Sequence, residues 1–161
     1  MTHAIVLYFS VYGSTKLVAE EIAKQTGADL AEIAPQTPYD SNRDHYDALA
    51  ALAKHEHDTD ARPALKPLPD LNSYDTVFIG YPMWWYTFPM AFYTFFDQAD
   101  LSGKTVIPFN THMGSRDGKT YRTIAQLARN SQVKDGLPLS MQDAERGSAK
   151  TIQKWLSHVM A

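Results

Sequence analysis

The chain has 161 residues, 44% of them hydrophobic, and a formal net charge of -3 at pH 7. This length and composition suffice for one core of ordinary size, so we expect a single domain over residues 1–161. The weak negative charge excludes a strongly basic nucleic-acid-binding protein, and the absence of Cys excludes disulfides, thiol nucleophiles and Cys-ligated metals.

The apolar runs are all short. None approaches the length of a membrane span, and the first, AIVLYF, also lacks the basic lead of a signal peptide. We therefore expect a cytoplasmic protein whose partners are small molecules, with no nucleic acid and no membrane among them.

The first half of the chain alternates between strand and helix patterns. In chain order it predicts a buried strand over 4–9, a helix over 14–27 closed by Gly27, an exposed strand over 29–35 and a helix over 45–58. The second half predicts a buried strand over 76–81, a helix over 89–99, a strand over 105–109, a helix over 118–130, a short strand over 136–140 and a closing helix over 143–160.

This alternation predicts the α/β class. Right-handed crossovers between parallel strands favour a parallel sheet with helices on both faces. We expect the doubly wound, five-stranded order 2-1-3-4-5, one of the common orders of such sheets, in three α/β/α layers. Ligands of such sheets bind beyond the carboxyl ends of the strands, near the point where the strand order reverses. The loops after strands one, three and four are therefore the candidate site.

The first of these loops, SVYGST at 10–15, is rich in hydroxyl groups and precedes a helix. Backbone N–H groups at a helix start, with the hydroxyls of Ser10, Ser14 and Thr15, can bind a phosphate. Neither GxxxxGK[ST] nor GxGxxG is present, which favours a single phosphate. The alternative is a simple helix cap with a tight turn at Gly13.

The second loop, PMWWYTFP at 82–89, carries Trp84, Trp85 and Tyr86 in succession. Large aromatic side chains on a loop can stack on a planar ligand. The alternative is a subunit interface or a core plug.

The third loop, NTHMGSRDG at 110–118, offers polar groups and a glycine, Gly114, at which the backbone can approach a ring edge closely. The alternative is an Asp-capped helix start. Together the three loops predict a site for a phosphorylated planar heterocycle.

These motifs resemble those of the flavodoxin-like FMN-binding proteins. SVYGSTK resembles their phosphate loop, GYPMWWYTFP their ring-stacking loop and PFNTHMGSRDG the third loop of a bacterial flavodoxin branch; RPALKPLPDLNSYDTVFIGYPMWW is similar to that branch in order and spacing. The resemblance covers essentially the whole chain. Tyr12 in SxYG is instead similar to the tryptophan-repressor-binding type of quinone reductases, and Asn110 and His112 stand where Cys and Ser are common.

The resemblance implies a flavodoxin-like fold and FMN as the cofactor, with no catalytic acid or base and no metal. It implies that three groups of residues bind FMN: Ser10, Val11, Tyr12, Gly13, Ser14 and Thr15 at the phosphate; Pro82, Met83, Trp84, Trp85 and Tyr86 at the isoalloxazine; and Thr111, His112, Met113, Gly114, Ser115 and Asp117 at the pyrimidine edge. A protonated His112 near the ring would offset the negative charge of reduced flavin; a solvated loop histidine is the alternative.

Three functions remain open. The first is flavodoxin-type electron transfer to a redox partner protein. The second is an FMN-dependent reductase that takes hydride from NAD(P)H and reduces a quinone or another small acceptor. The third is a non-catalytic interaction protein that uses the aromatic loop as an interface, and a homodimer is compatible with all three.

Overall fold

A parallel sheet covered by helices on both faces makes up the part of the chain, residues 3–160, that this computed structural model describes. The strands are β1 (Ala4–Tyr8), β2 (Asp29–Glu32), β3 (Thr76–Pro82), β4 (Thr105–His112), β5 (Gln132–Val133) and β6 (Leu137–Ser140). The helices are α1 (Ser14–Thr26), α2 (Tyr46–Asp58), α3 (Ala91–Gln98), α4 (Thr120–Leu127), α5 (Met141–Arg146) and α6 (Ala149–Val159), and a 3₁₀ turn (Arg43–His45) precedes α2.

The strand order is β2-β1-β3-β4-β5 and every pair is parallel, which confirms the predicted sheet. The fifth position is shared by two short strands: β5 pairs with β4 at Thr105 and Val106, and β6 pairs with it from Phe109 to His112. The predicted strand at 136–140 corresponds to β6. The prediction missed β5, because two paired residues are too few to give a periodic signal.

Side chains of the central strands alternate between two cores, as strand geometry requires. In β1, Ile5 and Leu7 face a core completed by α3 and α4, whereas Val6 and Tyr8 face one completed by α1, α5 and α6. Burial on both faces explains why β1, β3 and β4 are almost wholly apolar in sequence. The second strand is an edge strand, mostly exposed, as its alternating pattern predicts.

The closing helix predicted over 143–160 is wrong in one respect, because it is two helices. Gly147, with φ of +106°, ends α5, and α6 starts after Ser148. The helix predicted over 118–130 is shorter, Thr120–Leu127, since Gly118 and Lys119 before it have φ of +52° and +68°. A backbone in the left-handed region cannot continue a right-handed helix.

The carboxyl ends of β1, β3 and β4 lie at one edge of the sheet, so the three loops of the candidate site meet there. Helix α2 differs from the other long helices because its buried residues, Leu49 and Ala53, belong to neither core. Among the helices of residues 3–160, none has both the length and the apolarity needed to cross a bilayer.

Candidate functional site

A cavity of about 690 Å³ opens at this edge of the sheet. Its volume lies within the range of roughly 300 to 1,000 Å³ that is typical of small-molecule sites. The lining residues are Ser10, Val11, Tyr12, Ser14, Thr15, Arg43, Tyr46, Leu49, Ala50, Ala53, Pro82, Met83, Trp84, Trp85, Tyr86, Thr111, His112, Met113, Gly114, Ser115 and Met141. Of the residues predicted from sequence, all except Gly13 and Asp117 are in this set.

The first loop folds into a turn that leads directly into α1, whose buried first residues, Ser14 and Thr15, line the cavity. The Gly13 N–H donates to Ser10 Oγ at 3.0 Å, and Gly13 has φ of +97°, a conformation that favours glycine. No side chain caps α1, so its first N–H groups, which have no acceptor within the helix, remain at the positive end of the helix dipole. Thr15 Oγ1 lies 2.7 Å from Thr111 Oγ1, which ties the start of α1 to the end of β4. This arrangement suits an anion better than the simple cap that sequence left open.

The second loop is a two-residue hairpin turn. Trp84 and Thr87 exchange backbone hydrogen bonds of 2.7 and 3.1 Å, and the residues between them, Trp85 and Tyr86, have φ of +52° and +63°. Positive φ at both central positions is the type I′ pattern, which normally selects Asn and Gly. The turn holds Trp85 45% exposed and Tyr86 77% exposed.

The tryptophans of this turn differ in role. Trp84 packs edge-to-face against Phe9 and Tyr39, with centroid distances of 5.4 and 5.1 Å, so it is partly a core residue, as the alternative interpretation held. The indole N–H of Trp85 donates to the Ala50 carbonyl of α2 at 2.9 Å. Trp85 therefore joins the aromatic loop to the opposite wall while its ring borders the cavity.

The third loop is anchored by Asn110, a β4 residue that is only 1% exposed. Its Nδ2 donates to the Arg116 carbonyl at 2.9 Å, and its Oδ1 accepts from the Tyr121 hydroxyl. Both ends of the amide are thus satisfied, as a buried polar side chain requires. Asn110 thereby anchors a loop whose tip, Met113, is 77% exposed.

His112 and Asp117 behave differently from the expectations placed on them. The Gly114 N–H donates to His112 Nδ1 at 3.0 Å, and burial, followed by the positive charge of Arg116, lowers the pKa of His112 from its ordinary value of 6.5. The backbone carbonyl of Asp117, rather than its carboxylate, accepts from Thr120, and no side chain caps α4. The interpretation of this loop as an Asp-capped helix start is therefore wrong.

One wall of the cavity comes from α2 and was not predicted. Tyr46, Leu49, Ala50 and Ala53 follow one another at i, i+3, i+4 and i+7, the spacing of one helix face. That spacing is visible in the sequence, but nothing local indicates that the stripe faces a cavity rather than the core. Arg43, from the turn before α2, and Met141, at the start of α5, were also missed.

Two opposite charges pair beside the first loop: Arg43 lines the cavity, and Glu145 lies outside the lining set. The Ser14 hydroxyl donates to Glu145 Oε1 at 3.1 Å, and Arg43 Nη2 donates to the same oxygen at 2.7 Å. Hydrogen bonding from Arg43 and then from Ser14 lowers the pKa of Glu145, so this carboxyl is ionised at neutral pH. Neither charge was predicted from the sequence.

The donor set fits a phosphorylated planar heterocycle such as FMN. An uncapped helix start lies at one end of the cavity and aromatic faces line its length. In addition, the Tyr12 hydroxyl is shielded from solvent and has no hydrogen-bond partner among the described residues. A buried polar atom without a partner is costly, so a ligand that supplies one is favoured.

Comparison with known proteins gives matches over almost the whole chain. A family model described as Flavodoxin matches residues 3–159. A relative from Gluconacetobacter diazotrophicus, named NAD(P)H dehydrogenase (quinone), is 27% identical over 161 aligned residues, which cover 91% of this chain and 76% of the relative.

Solved structures are similar over the same extent. A candidate flavoprotein from Bacteroides eggerthii is 32% identical, with all of this chain and 99% of that chain covered and a TM-score of 0.82. A flavoprotein from Lactobacillus acidophilus, solved in complex with FMN, is 22% identical, with 92% and 99% covered and a TM-score of 0.72, and at that identity it supports the fold alone.

Proposed function

Because this chain belongs to the flavodoxin family and is a flavin-binding redox protein, we propose that it binds FMN non-covalently in the cavity at the carboxyl edge of the sheet. The observation that carries the proposal is that an uncapped helix start and an exposed aromatic turn line one cavity. The Lactobacillus acidophilus flavoprotein, which shares the fold, was solved in complex with FMN.

The proposed roles follow from position in the cavity. The loop from Ser10 to Thr15 holds the phosphate through the N–H groups at the start of α1 and the nearby hydroxyls. Trp85 and Tyr86 flank the isoalloxazine, and the segment from Thr111, near the end of β4, to Ser115 contacts its pyrimidine edge. Gly13 acts through its backbone conformation, and Asp117 has the weakest support because it lies outside the lining set.

When bound, FMN supplies one- or two-electron transfer, and the protein binds and orients it and adjusts its potentials. Met83, Trp85 and the α2 stripe surround the proposed ring position with apolar groups. Such surroundings disfavour additional negative charge, because a buried charge without a partner is costly. We therefore expect low reduction potentials.

The test is a titration of the purified protein with FMN, followed by absorbance and by quenching of flavin fluorescence. Trp85→Ala removes one stacking face, and we expect the Kd for FMN to rise about 10-fold, since an aromatic pair contributes about 0.5–1.5 kcal/mol beyond burial. Trp85→Phe is the matched control and should stay within about 3-fold of wild type, because it keeps an aromatic face. An unchanged Kd in Trp85→Ala would contradict the assigned stacking role.

A second candidate is the NAD(P)H-dependent reduction of a quinone, favoured by the similarity to the Gluconacetobacter diazotrophicus enzyme. Anaerobic addition of NADH or NADPH to the FMN-loaded protein separates the two functions. Prompt bleaching of the flavin bands indicates a reductase. Bleaching only by dithionite or by a partner reductase indicates an electron carrier, and failure to bind any flavin would leave the aromatic loop as an interface.

A further inference from the structure

A carboxylate of the protein itself, that of Glu145, is bonded to the proposed phosphate loop although it lies outside the cavity lining. Glu145 Oε1 accepts from the Ser14 hydroxyl at 3.1 Å and from Arg43 Nη2 at 2.7 Å. Ser14 is the first residue of α1, where the proposed phosphate site lies. An anionic oxygen thus already uses a hydroxyl that a bound phosphate would need.

Arg43 is positioned directly over this loop. Its Cζ lies 5.3 Å from the centroid of the Tyr12 ring, and its Nη2 lies 3.5 Å from the Tyr12 carbonyl oxygen. The guanidinium is therefore held by an aromatic face, a carbonyl and a carboxylate while it lines the cavity. An arginine fork can bind phosphate through two parallel hydrogen bonds, so Arg43 is suited to two competing anions.

The Glu145 side chain can turn away from Ser14 without disrupting α5. Its side chain is 41% exposed, and α5 is capped independently by Ser140, whose Oγ accepts from the Asp143 N–H at 3.0 Å. A phosphate dianion at Ser14 would be repelled by an ionised Glu145 at hydrogen-bond distance. Phosphate binding therefore requires the carboxylate to turn toward solvent and leaves Arg43 free to pair with the incoming anion.

We propose that Glu145 acts as a placeholder: it binds the partners of the flavin phosphate, Ser14 and Arg43, until FMN arrives. Arg43, released from Glu145, is then the residue that selects phosphorylated flavin over riboflavin. The proposal rests on FMN binding in this cavity. It assigns phosphate specificity to a side chain outside the three loops, in the turn before α2. The backbone of the phosphate loop then binds anions in general, and the pair of Arg43 and Glu145 sets how tightly the flavin phosphate is bound.

The test compares the Kd values of FMN and riboflavin in four proteins: wild type, Arg43→Gln, Glu145→Gln and Arg62→Gln. Arg62 is the matched control because it also lies over a tyrosine ring, Tyr93 at 4.9 Å, and pairs with carboxylates, but it does not line the cavity. All four should show the same far-ultraviolet circular dichroism, because the substituted side chains are partly exposed.

We expect Arg43→Gln to raise the Kd of FMN about 10-fold or more and that of riboflavin less than about 2-fold, since hydrogen bonds to charged groups are the strong ones. Glu145→Gln should lower the Kd of FMN by roughly 3-fold or more, because it removes a competing anion, and should not change that of riboflavin. Arg62→Gln should change neither.

Two results would overturn the placeholder while leaving the proposed function intact: equal effects of Arg43→Gln on both flavins, or weaker FMN binding in Glu145→Gln. Equal effects would mean that Arg43 only supports the loop. Weaker FMN binding in Glu145→Gln would mean that Glu145 organises the loop rather than competes for it. If wild type binds neither flavin, the proposed function fails and the placeholder fails with it.

Discussion

The surroundings of His112 favour a neutral imidazole, because its Nδ1 is placed to accept the Gly114 N–H and a protonated ring has no free lone pair there. Burial and the Arg116 charge lower its pKa from 6.5, which favours the same neutral form at pH 7. Both observations weigh against the hypothesis that a protonated His112 offsets the charge of reduced flavin. Among the described lining residues, the cationic side chain is that of Arg43, which lies over the first loop.

The midpoint potential of the bound flavin tests whether His112 carries a charge near the ring. Between pH 7 and pH 9 we expect plots of potential against pH for wild type and His112→Ala to have the same slope, because the imidazole stays neutral throughout that interval. Spectroelectrochemical titration of both FMN-loaded proteins measures it. A slope that changes in wild type and not in His112→Ala would restore the charged-histidine hypothesis.

The same pKa shift predicts a stability difference. A lowered pKa in the folded state means that the unfolded chain takes up the proton first as the pH falls through 6.5. Wild type should therefore lose stability between pH 7 and pH 5, and His112→Ala should lose less over the same interval. Urea denaturation of the two proteins at pH 7 and pH 5 compares them.

At the scale of elements, the aromatic turn is strained in the place where it would contact the ligand. Trp85 and Tyr86 both have positive φ, a conformation that costs a residue other than glycine about 1–2 kcal/mol. Gly118 packs tightly against this turn: a Cβ there would lie 2.7 Å from the Tyr86 carbonyl oxygen. The third loop thus fixes the second, which allows the strained backbone to persist.

Tyr86→Gly should relieve part of this strain. We expect the ligand-free protein to become more stable by about 1 kcal/mol and the Kd of FMN to rise, because glycine adopts positive φ without cost but has no ring. Tyr86→Ala is the control, since it loses the same ring and keeps the strain. If both variants have the same free energy of unfolding in urea, the turn stores no strain.

At the scale of the whole molecule, the cavity exists only when distant parts of the chain are folded together. Its walls are the three loops at the edge of the sheet and the α2 stripe. Helix α2 is held there by Trp85 Nε1 bonded to the Ala50 carbonyl and by a 2.7 Å hydrogen bond from the Tyr39 hydroxyl to Glu56. An unfolded chain offers no such site, so ligand binding must stabilise the fold.

We expect FMN at 100 times its Kd to raise the free energy of unfolding by about 2.7 kcal/mol, and thus Tm by about 5–10 °C for a chain of this size. Differential scanning fluorimetry with increasing FMN measures the shift, and AMP, which has a phosphate and no isoalloxazine, is the control. A shift of equal size with AMP would mean that the isoalloxazine adds nothing specific to recognition.

The sequence by itself determined the parallel sheet, its strand order and the loops that meet at its edge. Almost wholly apolar runs such as residues 76–81 mark strands buried on both faces, and Gly27 marks the end of α1. The strand order follows from the doubly wound topology that such an alternation of strands and helices favours. Because the strand order dictates which loops are neighbours, the loops that line the cavity could be predicted before any contact was known, and the resemblance to the flavodoxin-like proteins supplied the individual residues.

Tertiary structure alone decided the rest of the site. It placed the α2 stripe on the cavity, made Trp84 partly a core residue and divided the fifth sheet position between β5 and β6. It also brought Arg43 to Glu145, 102 residues along the chain, and Ser14 to the same carboxylate, 131 residues away. Periodicity reports how each segment is buried, whereas these contacts depend on how segments pack against one another, which no local pattern encodes.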